Sequence, residues 1–385
     1  MSGKQRVTAA ISRQQGDRLP LSFEATYEVT EALIRLLGID REIAPGSSAS
    51  SSNQPSAGRR EFGLAHDLAL ERRLGVDQAI VICPTNAGRT VGNWWGLPLL
   101  ERLPDGRLRG TWDILFREFT YPFGTYIEID SSPLAGAASY EELAAVPVLP
   151  LNLWDFNGLK EILTNYDGTF VWLNMNGCFD FARFMRGTEG FLLDMASAPA
   201  KAEVLLDKVN ELAISFFQEC MKAAGDGFDG VYLGDDFGTQ QGMLMSPDMW
   251  RRYIRPRYEQ LLSVIKSSGK AYCHHSCGGV RPIIPDLIEI GVDVLNPIQP
   301  LAAGMDPEEL ADEFGRKLCF YGGIDEQRTL PSGTAEDVRN EVRHRIRTLG
   351  KHGGYIVAPS HAFQPDTPLA NVVAVYETVL GRKIA

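Results

Sequence analysis

The chain has 385 residues, 44% of them hydrophobic and 23% charged, with a formal net charge of −11. This composition builds a globular protein with a sizeable core, and the lack of any basic run argues against nucleic acid or an anionic membrane as partner. Six cysteines are too sparse for a disulfide framework, the opening MSGKQRVTAAISRQQGDRLP lacks the apolar centre of a secretion signal, and no stretch is apolar enough to span a bilayer. The expectation is a cytoplasmic protein in a reducing compartment.

Taken in chain order, eight short β-rich runs alternate with helical patterns. The first is LPLSFEA at 19–25. Residues 45–58, PGSSASSSNQPSAG, are rich in Ser, Gly and Pro and predict a flexible surface loop. QAIVICP at 78–84 is the second run. Residues 86–156 then interrupt the alternation with a predicted hairpin, LLERLPDGRLRGTWDIL, turning at Pro104-Asp105-Gly106, and with clustered aromatics: Trp94, Trp95, Trp112, Phe116, Phe119, Tyr121, Phe123 and Tyr126. These aromatics pack an added β-rich segment or wall a substrate pocket as a lid, and the two roles are compatible.

Six further runs follow: FVWLNM at 170–175, GVYLGDD at 230–236, KAYCHHS at 270–276, VDVLNPIQ at 292–299, KLCFYGGI at 317–324 and GYIVAPSH at 354–361. Most are succeeded by amphipathic stretches such as PAKAEVLLDKVNELAISFFQECMKAAG. Near-continuous apolar strands alternating with helices specify a parallel sheet covered on both faces. Eight such units predict an α/β fold, a (β/α)8 TIM barrel spanning residues 1–385 as one domain, with an inserted β-rich lid segment. No GxGxxG turn follows any run, which disfavours a doubly wound open sheet.

Polar residues collect where the runs end: Glu24, Asn174 and Asn176, Asp235 and Asp236, His274 and His275, Asn296 and Gln299, Asp325, and His361. In a barrel the C-terminal strand ends converge on the active site, whereas a purely structural core has no need of polar residues at one end of nearly every strand. An enzyme is expected.

The densest of these ends is KAYCHHSCGGV at 270–280. His275 and Cys277, two positions apart, face one side on extended backbone, and an imidazole with a thiolate suits Zn²⁺. Strand phase turns His274 away and leaves Cys273 deeper in the core, and CHHSC is not a CxxC redox pair. The fifth and eighth strands face each other across a barrel mouth, which brings His361 within reach as a third ligand. On spacing alone a metal site and an incidental polar strand end both stay open.

Several stretches resemble the uroporphyrinogen decarboxylase superfamily along nearly the whole chain. They are DRLPLSFEA, GCFDFARFMRGTEGFLLDMASAP, GVYLGDDFGTQQGMLMSPDMWRRYIRPRY, HSCGGVRPIIPDLIEIGVDVLNPIQP, YGGIDEQRTLPSGTAEDVRNEV and GGYIVAPSHAFQPDTPLANVVAVYE. The resemblance implies a (β/α)8 barrel and one of two chemistries. Decarboxylases of that superfamily work without metal and hold a polycarboxylate substrate with arginines near the first strand. LSFEATYEV here lacks an arginine pair, and carboxylates left unpaired in a closed pocket are costly.

The zinc-dependent methyltransferase branch carries an HxC pair after the fifth strand and a cysteine after the eighth. His275 and Cys277 match the pair, and His361 stands where that cysteine would be. Neither Asn296 nor Gln299 is a carboxylate, so the fourth position is open to water, substrate or Glu24. The implied activity is transfer of a methyl group from a small methylated compound, with a methoxy compound favoured, to a corrinoid protein, tetrahydrofolate or a thiol. No DxHxxG-type corrinoid-binding segment is present, so a corrinoid would come on a separate protein. The resemblance also leans towards a homodimer.

Asp236 and Glu24 are the candidate catalytic residues, and Asn176, Tyr27, Gln240 and Gln299 are candidate substrate contacts. Glu24, at the end of an apolar run, would serve as ligand, as general base, or as partner to Arg18 or Arg183. Of Asp235 and Asp236 only one can face the mouth, because adjacent strand residues alternate. Two other readings are a metal-independent decarboxylase or lyase of a non-porphyrin substrate, in which His361 and Asp236 handle protons, and a barrel that only binds a small ligand.

Overall fold

The computed structural model describes residues 1–42, 60–62, 67–121, 124–136 and 139–384. The expected loop at 45–58 lies outside the described residues, and so does Phe123. Seven strands form one parallel sheet: β1 (Gln78–Val81), β2 (Phe170–Asn176), β3 (Gly230–Gly234), β4 (Ala271–His275), β5 (Val294–Ile298), β6 (Cys319–Ile324) and β7 (Tyr355–Pro359). Each pairs with its neighbour in sequence, β1 to β7 in order. β1, β5, β6 and β7 are buried throughout, as strands covered on both faces must be.

The first predicted run departs from a regular strand. Pro20 has no N–H, and the N–H of Leu21 goes to the Asp77 carboxylate at 2.8 Å instead of to a neighbouring strand. The segment still closes the sheet. Leu21 bridges Val357 in parallel, Ala25 bridges Phe363, and the Asp77 N–H just before β1 donates to the Leu21 carbonyl at 2.9 Å. Between those two bridges the chain advances four residues on one side and six on the other. The excess bulges at Ser360 and His361, which re-aims a side chain at the barrel rim.

Inward-facing residues grade along the strands. At the N-terminal end Ile80, Phe170, Trp172, Cys273, Val294, Cys319 and Ile356 pack against Val7 and Ala10 of the helix Gly3–Ile11. That helix starts with a capping box between Ser2 and Gln5, and it plugs the bottom of the barrel. Towards the C-terminal end the same faces carry Asn174, Tyr232, His275, Asn296 and Tyr321. A dry floor and a polar mouth follow from that gradient.

The segment before β2 forms a six-stranded sheet in chain order: Arg60–Phe62, Gly92–Trp94, Leu97–Arg102, Leu108–Gly110, Leu115–Tyr121 and Gly124–Ser131. The predicted hairpin is its Leu97–Arg102 and Leu108–Gly110 pair, with Gly106 supplying the positive φ of the turn. Trp94 packs on Phe116 and Phe184, and Trp112 on Phe181, so these two tryptophans dock the insertion onto the helix Cys178–Arg186. Phe119 and Tyr126 differ, stacking on each other while exposed. Among the described residues no helix is long and apolar enough to cross a membrane.

Candidate metal centre

The two histidines and the cysteine named from strand phase and resemblance converge. One donor atom from each of His275, Cys277 and His361 lies within 4.8 Å of the others. His275 is the last residue of β4, and the Ser276 N–H pairs with the Asn296 carbonyl at 2.8 Å, which carries the strand one step further. The chain then turns at Gly278, whose φ of 80° and close approach to Thr239 only glycine accommodates. That turn points the Cys277 thiol back to the mouth, with Sγ 3.7 Å from His275 Nε2. Tetrahedral zinc with bonds of 2.0–2.3 Å requires ligand-to-ligand edges of about 3.3–3.8 Å, so this pair fits the ion. His361 enters from the bulge after β7, its ring centroid 5.8 Å from that of His275.

The electrostatics suit a cation. Burial, then the carboxylates of Asp236, Glu326 and Asp180, push the Cys277 thiol up. A thiolate therefore needs a positive partner here. Burial, with His275 adding, pushes His361 down to about 4, so this imidazole is neutral and has a lone pair to offer at physiological pH. His274 is the contrast. Alternation turns it outward to stack on Phe237 with centroids 5.4 Å apart, and burial pushes it down to about 3. It packs and does not ligate this centre.

The paired aspartates have separate surroundings. Asp235, fully buried, accepts from the N–H groups of Phe179 (3.0 Å) and Asp180 (2.6 Å) and from the Tyr258 hydroxyl (2.8 Å), capping the helix Cys178–Arg186. A Cβ on Gly177 would run into this carboxylate, so the cap requires glycine there. Asp236 sits at the mouth, where Oδ1 accepts the Cys277 N–H at 2.8 Å and lies 3.8 Å from His275 Nε2.

Glu24 is buried and accepts a hydrogen bond from the Tyr321 hydroxyl. The two arginines considered for it are engaged elsewhere, Arg18 with Asp77 and Arg183 with Asp180 at 2.7 Å. Gln299 accepts the Gly278 N–H at 2.8 Å and supports the loop that carries Cys277, and Gln240 reaches Gln299 at 3.4 Å. Asn174 and Asn176 both donate to the Trp95 carbonyl, at 3.2 and 2.9 Å, tying the insertion to the end of β2. They also border a cavity of about 40 Å³ shared with Leu97, Trp154 and Phe216. Tyr27 begins the helix Tyr27–Leu37 and is half-buried. Asp325 faces its own turn, accepting from the N–H groups of Gln327 and Arg328.

Sequence reasoning passed over three groups near the centre. Tyr232 and Tyr321 lie inside apolar runs and read as core, yet their hydroxyls contact His275 and Glu24. Glu326 follows β6 directly after Asp325, just past the polar strand ends that the sequence singles out. Burial, then Glu24, Asp325 and Asp366, push its carboxyl up to about 8. The inward phase of both tyrosines was readable from alternation, but their contacts were not.

The fold is a parallel α/β barrel that gathers imidazoles, a thiol and carboxylates at its C-terminal mouth, the donor types a metal ion would use. The sequence model of the family described as Uroporphyrinogen decarboxylase (URO-D) matches residues 161–381, and the chain belongs to that family. A uroporphyrinogen decarboxylase of Thermus thermophilus is 27% identical over 179 residues, which cover 46% of this chain and 47% of that protein. A methylated-thiol–coenzyme M methyltransferase of Methanosarcina mazei is 22% identical over 238 residues, covering 61% and 58%. The chain thus spans about half the length of the curated relatives it matches. A solved methyltransferase from Methanosarcina mazei superposes over 99% of both chains with a TM-score of 0.68 at 18% identity, which shows a shared fold.

Proposed function

We propose that this protein is a zinc-dependent methyltransferase or demethylase. It moves a methyl group from a small methylated compound, a methoxy compound foremost, to a corrinoid protein, tetrahydrofolate or a thiol. The observation that carries the reading is the convergence of His275, Cys277 and His361 within 4.8 Å at the barrel mouth. Zinc held by these residues would supply Lewis acidity to the heteroatom that gives up or receives the methyl group. Two imidazoles and one thiolate form a less electron-rich donor set than one imidazole and two thiolates, which favours an oxygen-bound methyl donor.

The chain's own groups complete the site. Asp236 fixes the backbone at Cys277, and Tyr321 orients Glu24 inside the mouth. Burial pushes the Glu326 carboxyl up to about 8, which suits it to give a proton to a departing oxygen. Glu24, Asp236 and Asp180 give the mouth an acidic character that repels a polycarboxylate such as a porphyrinogen, and Arg183 is already held by Asp180. The methyltransferase among the relatives supports methyl transfer, and the decarboxylases among them keep a metal-independent decarboxylase as the competing outcome. A corrinoid-protein partner and a homodimer belong to the same proposal.

Elemental analysis of the purified protein is the test, joined to a methyl-transfer assay with methoxy donors and a Co(I) corrinoid. About one zinc per chain is expected, with metal and transfer lost together in His275→Ala and Cys277→Ala. A metal-free protein that resists loading, or Cys277→Ala that keeps its turnover, would sink the reading and favour decarboxylation.

A further inference from the structure

We propose that Asn296 and Tyr232 are positioning residues for the metal centre. They form a charge-neutral lock that holds His275 in the tautomer with Nε2 free, and leave the ion more electrophilic than a carboxylate partner would. The inference rests on the metal reading above and goes beyond it, because it assigns work to two residues that touch neither substrate nor ion.

The three side chains form a closed triangle. The Tyr232 hydroxyl is 2.8 Å from Asn296 Oδ1 and 2.6 Å from His275 Nδ1, and Asn296 Oδ1 is 2.6 Å from that same Nδ1. Proton accounting then decides the tautomer. Asn296 Oδ1 can only accept, and Tyr232 has one proton, which it gives to Asn296. The proton between His275 and its partners must therefore sit on Nδ1, donated to Asn296 Oδ1, and the Nε2 lone pair faces Cys277. The reversed amide would set a donor against Nδ1 and leave Nε2 protonated towards Cys277 and Asp236, so that an ion would first have to displace that proton.

The fold builds this triangle deliberately into one layer. His275 pairs in register with Asn296 of β5 on one side and with Gly234 of β3 on the other, so the inward side chains of His275 and Asn296 are neighbours. β5 shifts register against β6 between Leu295 and Ile298, so the irregularity falls on Asn296 and Pro297. Gly234 adds no side chain beside His275, and Tyr232, two residues earlier on the same face of β3, fills the space below the ring. Asn296 and Tyr232 are both buried, so solvent does not compete for these bonds.

The charge of the partner matters as well as its position. Histidine ligands commonly give their second N–H to a carboxylate, carbonyl or water, and the outer partner sets both ring orientation and basicity. An amide oxygen orients as a carboxylate does without pushing negative charge through the ring. The imidazole stays a weaker donor and the bound ion a stronger Lewis acid, as activation of an oxygen-bound methyl group requires.

The test uses the full-length protein stripped of metal, with zinc affinity measured by chelator competition and the Co(II) absorption spectrum recorded for each variant. Asn296→Ala should lose about 10- to 100-fold in zinc affinity, and Tyr232→Phe should lose less. Asn296→Asp should restore zinc affinity, shift the Co(II) bands away from those of the unaltered protein, and lower methyl transfer. If Asn296→Ala does not fold, the near-isosteric Tyr232→Phe and Asn296→Asp carry the test. An unaltered protein that binds zinc beside an Asn296→Ala or Asn296→Asp variant with the same affinity and spectrum overturns this proposal alone. An unaltered protein that takes up no zinc overturns it together with the metal reading.

Discussion

Metal binding at the mouth should release one proton, and that proton should come from Cys277. Burial and three nearby carboxylates keep its thiol protonated in the metal-free chain, while His361, pushed down to about 4, has already lost its proton. The titration is best run on Glu326→Gln, which removes the neighbouring carboxyl that itself titrates at about 8, between about pH 7.5 and 9, beyond the range where free imidazoles exchange protons. One proton then leaves for each ion bound, and the association constant should rise about tenfold per pH unit. Cys277→Ala removes both the proton and the ligand. If structural zinc is worth about 10–16 kcal/mol over its ligand set, one ligand of three accounts for roughly 3–5 kcal/mol, or a hundred- to several-thousand-fold in affinity. The assay is competition with a chromophoric chelator at each pH, paired with direct measurement of released acid. A flat pH dependence with Cys277 in place, or the same slope in Cys277→Ala, would refute the assignment of Cys277 as the ionising ligand.

Asp235→Ala strips one acceptor from two backbone N–H groups and a buried hydroxyl. At about 1–3 kcal/mol for each stranded donor it should cost at least 3 kcal/mol in denaturant unfolding, and Tyr258→Phe should cost clearly less. Glu326 has its folded pKa raised to about 8, so the folded chain binds the extra proton and stability should fall as pH rises from about 4.5 to 8 in the metal-free protein. Glu326→Gln should flatten that decline, and equal slopes for the two proteins in pH-dependent unfolding would contradict the assignment. At Gly278 a Cβ would lie 2.4 Å from the Thr239 nitrogen, on backbone with φ of 80°. Gly278→Ala should therefore displace Cys277 and weaken zinc binding while circular dichroism stays near that of the unaltered chain; undiminished affinity would show that the loop tolerates the change.

Much of the architecture was legible in the residues. Runs such as KLCFYGGI and GYIVAPSH read as buried parallel strands because covered sheets leave no face for polar alternation, and both are strands of the observed sheet. LPLSFEA read the same way but forms only isolated bridges, since Pro20 and the Asp77 carboxylate redirect its hydrogen bonding. At the centre, period-two alternation separates His275 from His274, and that phase needs only the sequence. The long-range partners were beyond reach. Asn296 looked like a failed carboxylate ligand, and in the structure its amide lies against His275. Arg18 and Arg183 were plausible partners for Glu24 by charge alone, yet Asp77 and Asp180 hold them and a tyrosine 297 positions away holds Glu24.

By itself, then, the sequence determined the alternation of strands and helices, the end of each strand at which chemistry collects, and which side chains share a face. These are properties of neighbours along the chain, set by backbone period and by burial. Tertiary structure decided the rest: the two-residue excess that aims His361 inward, the register that sets Asn296 against His275, and the glycine turn that brings Cys277 back to the mouth. Each depends on where two distant segments meet, and a shift of one residue in strand pairing would turn every one of those side chains to the opposite face.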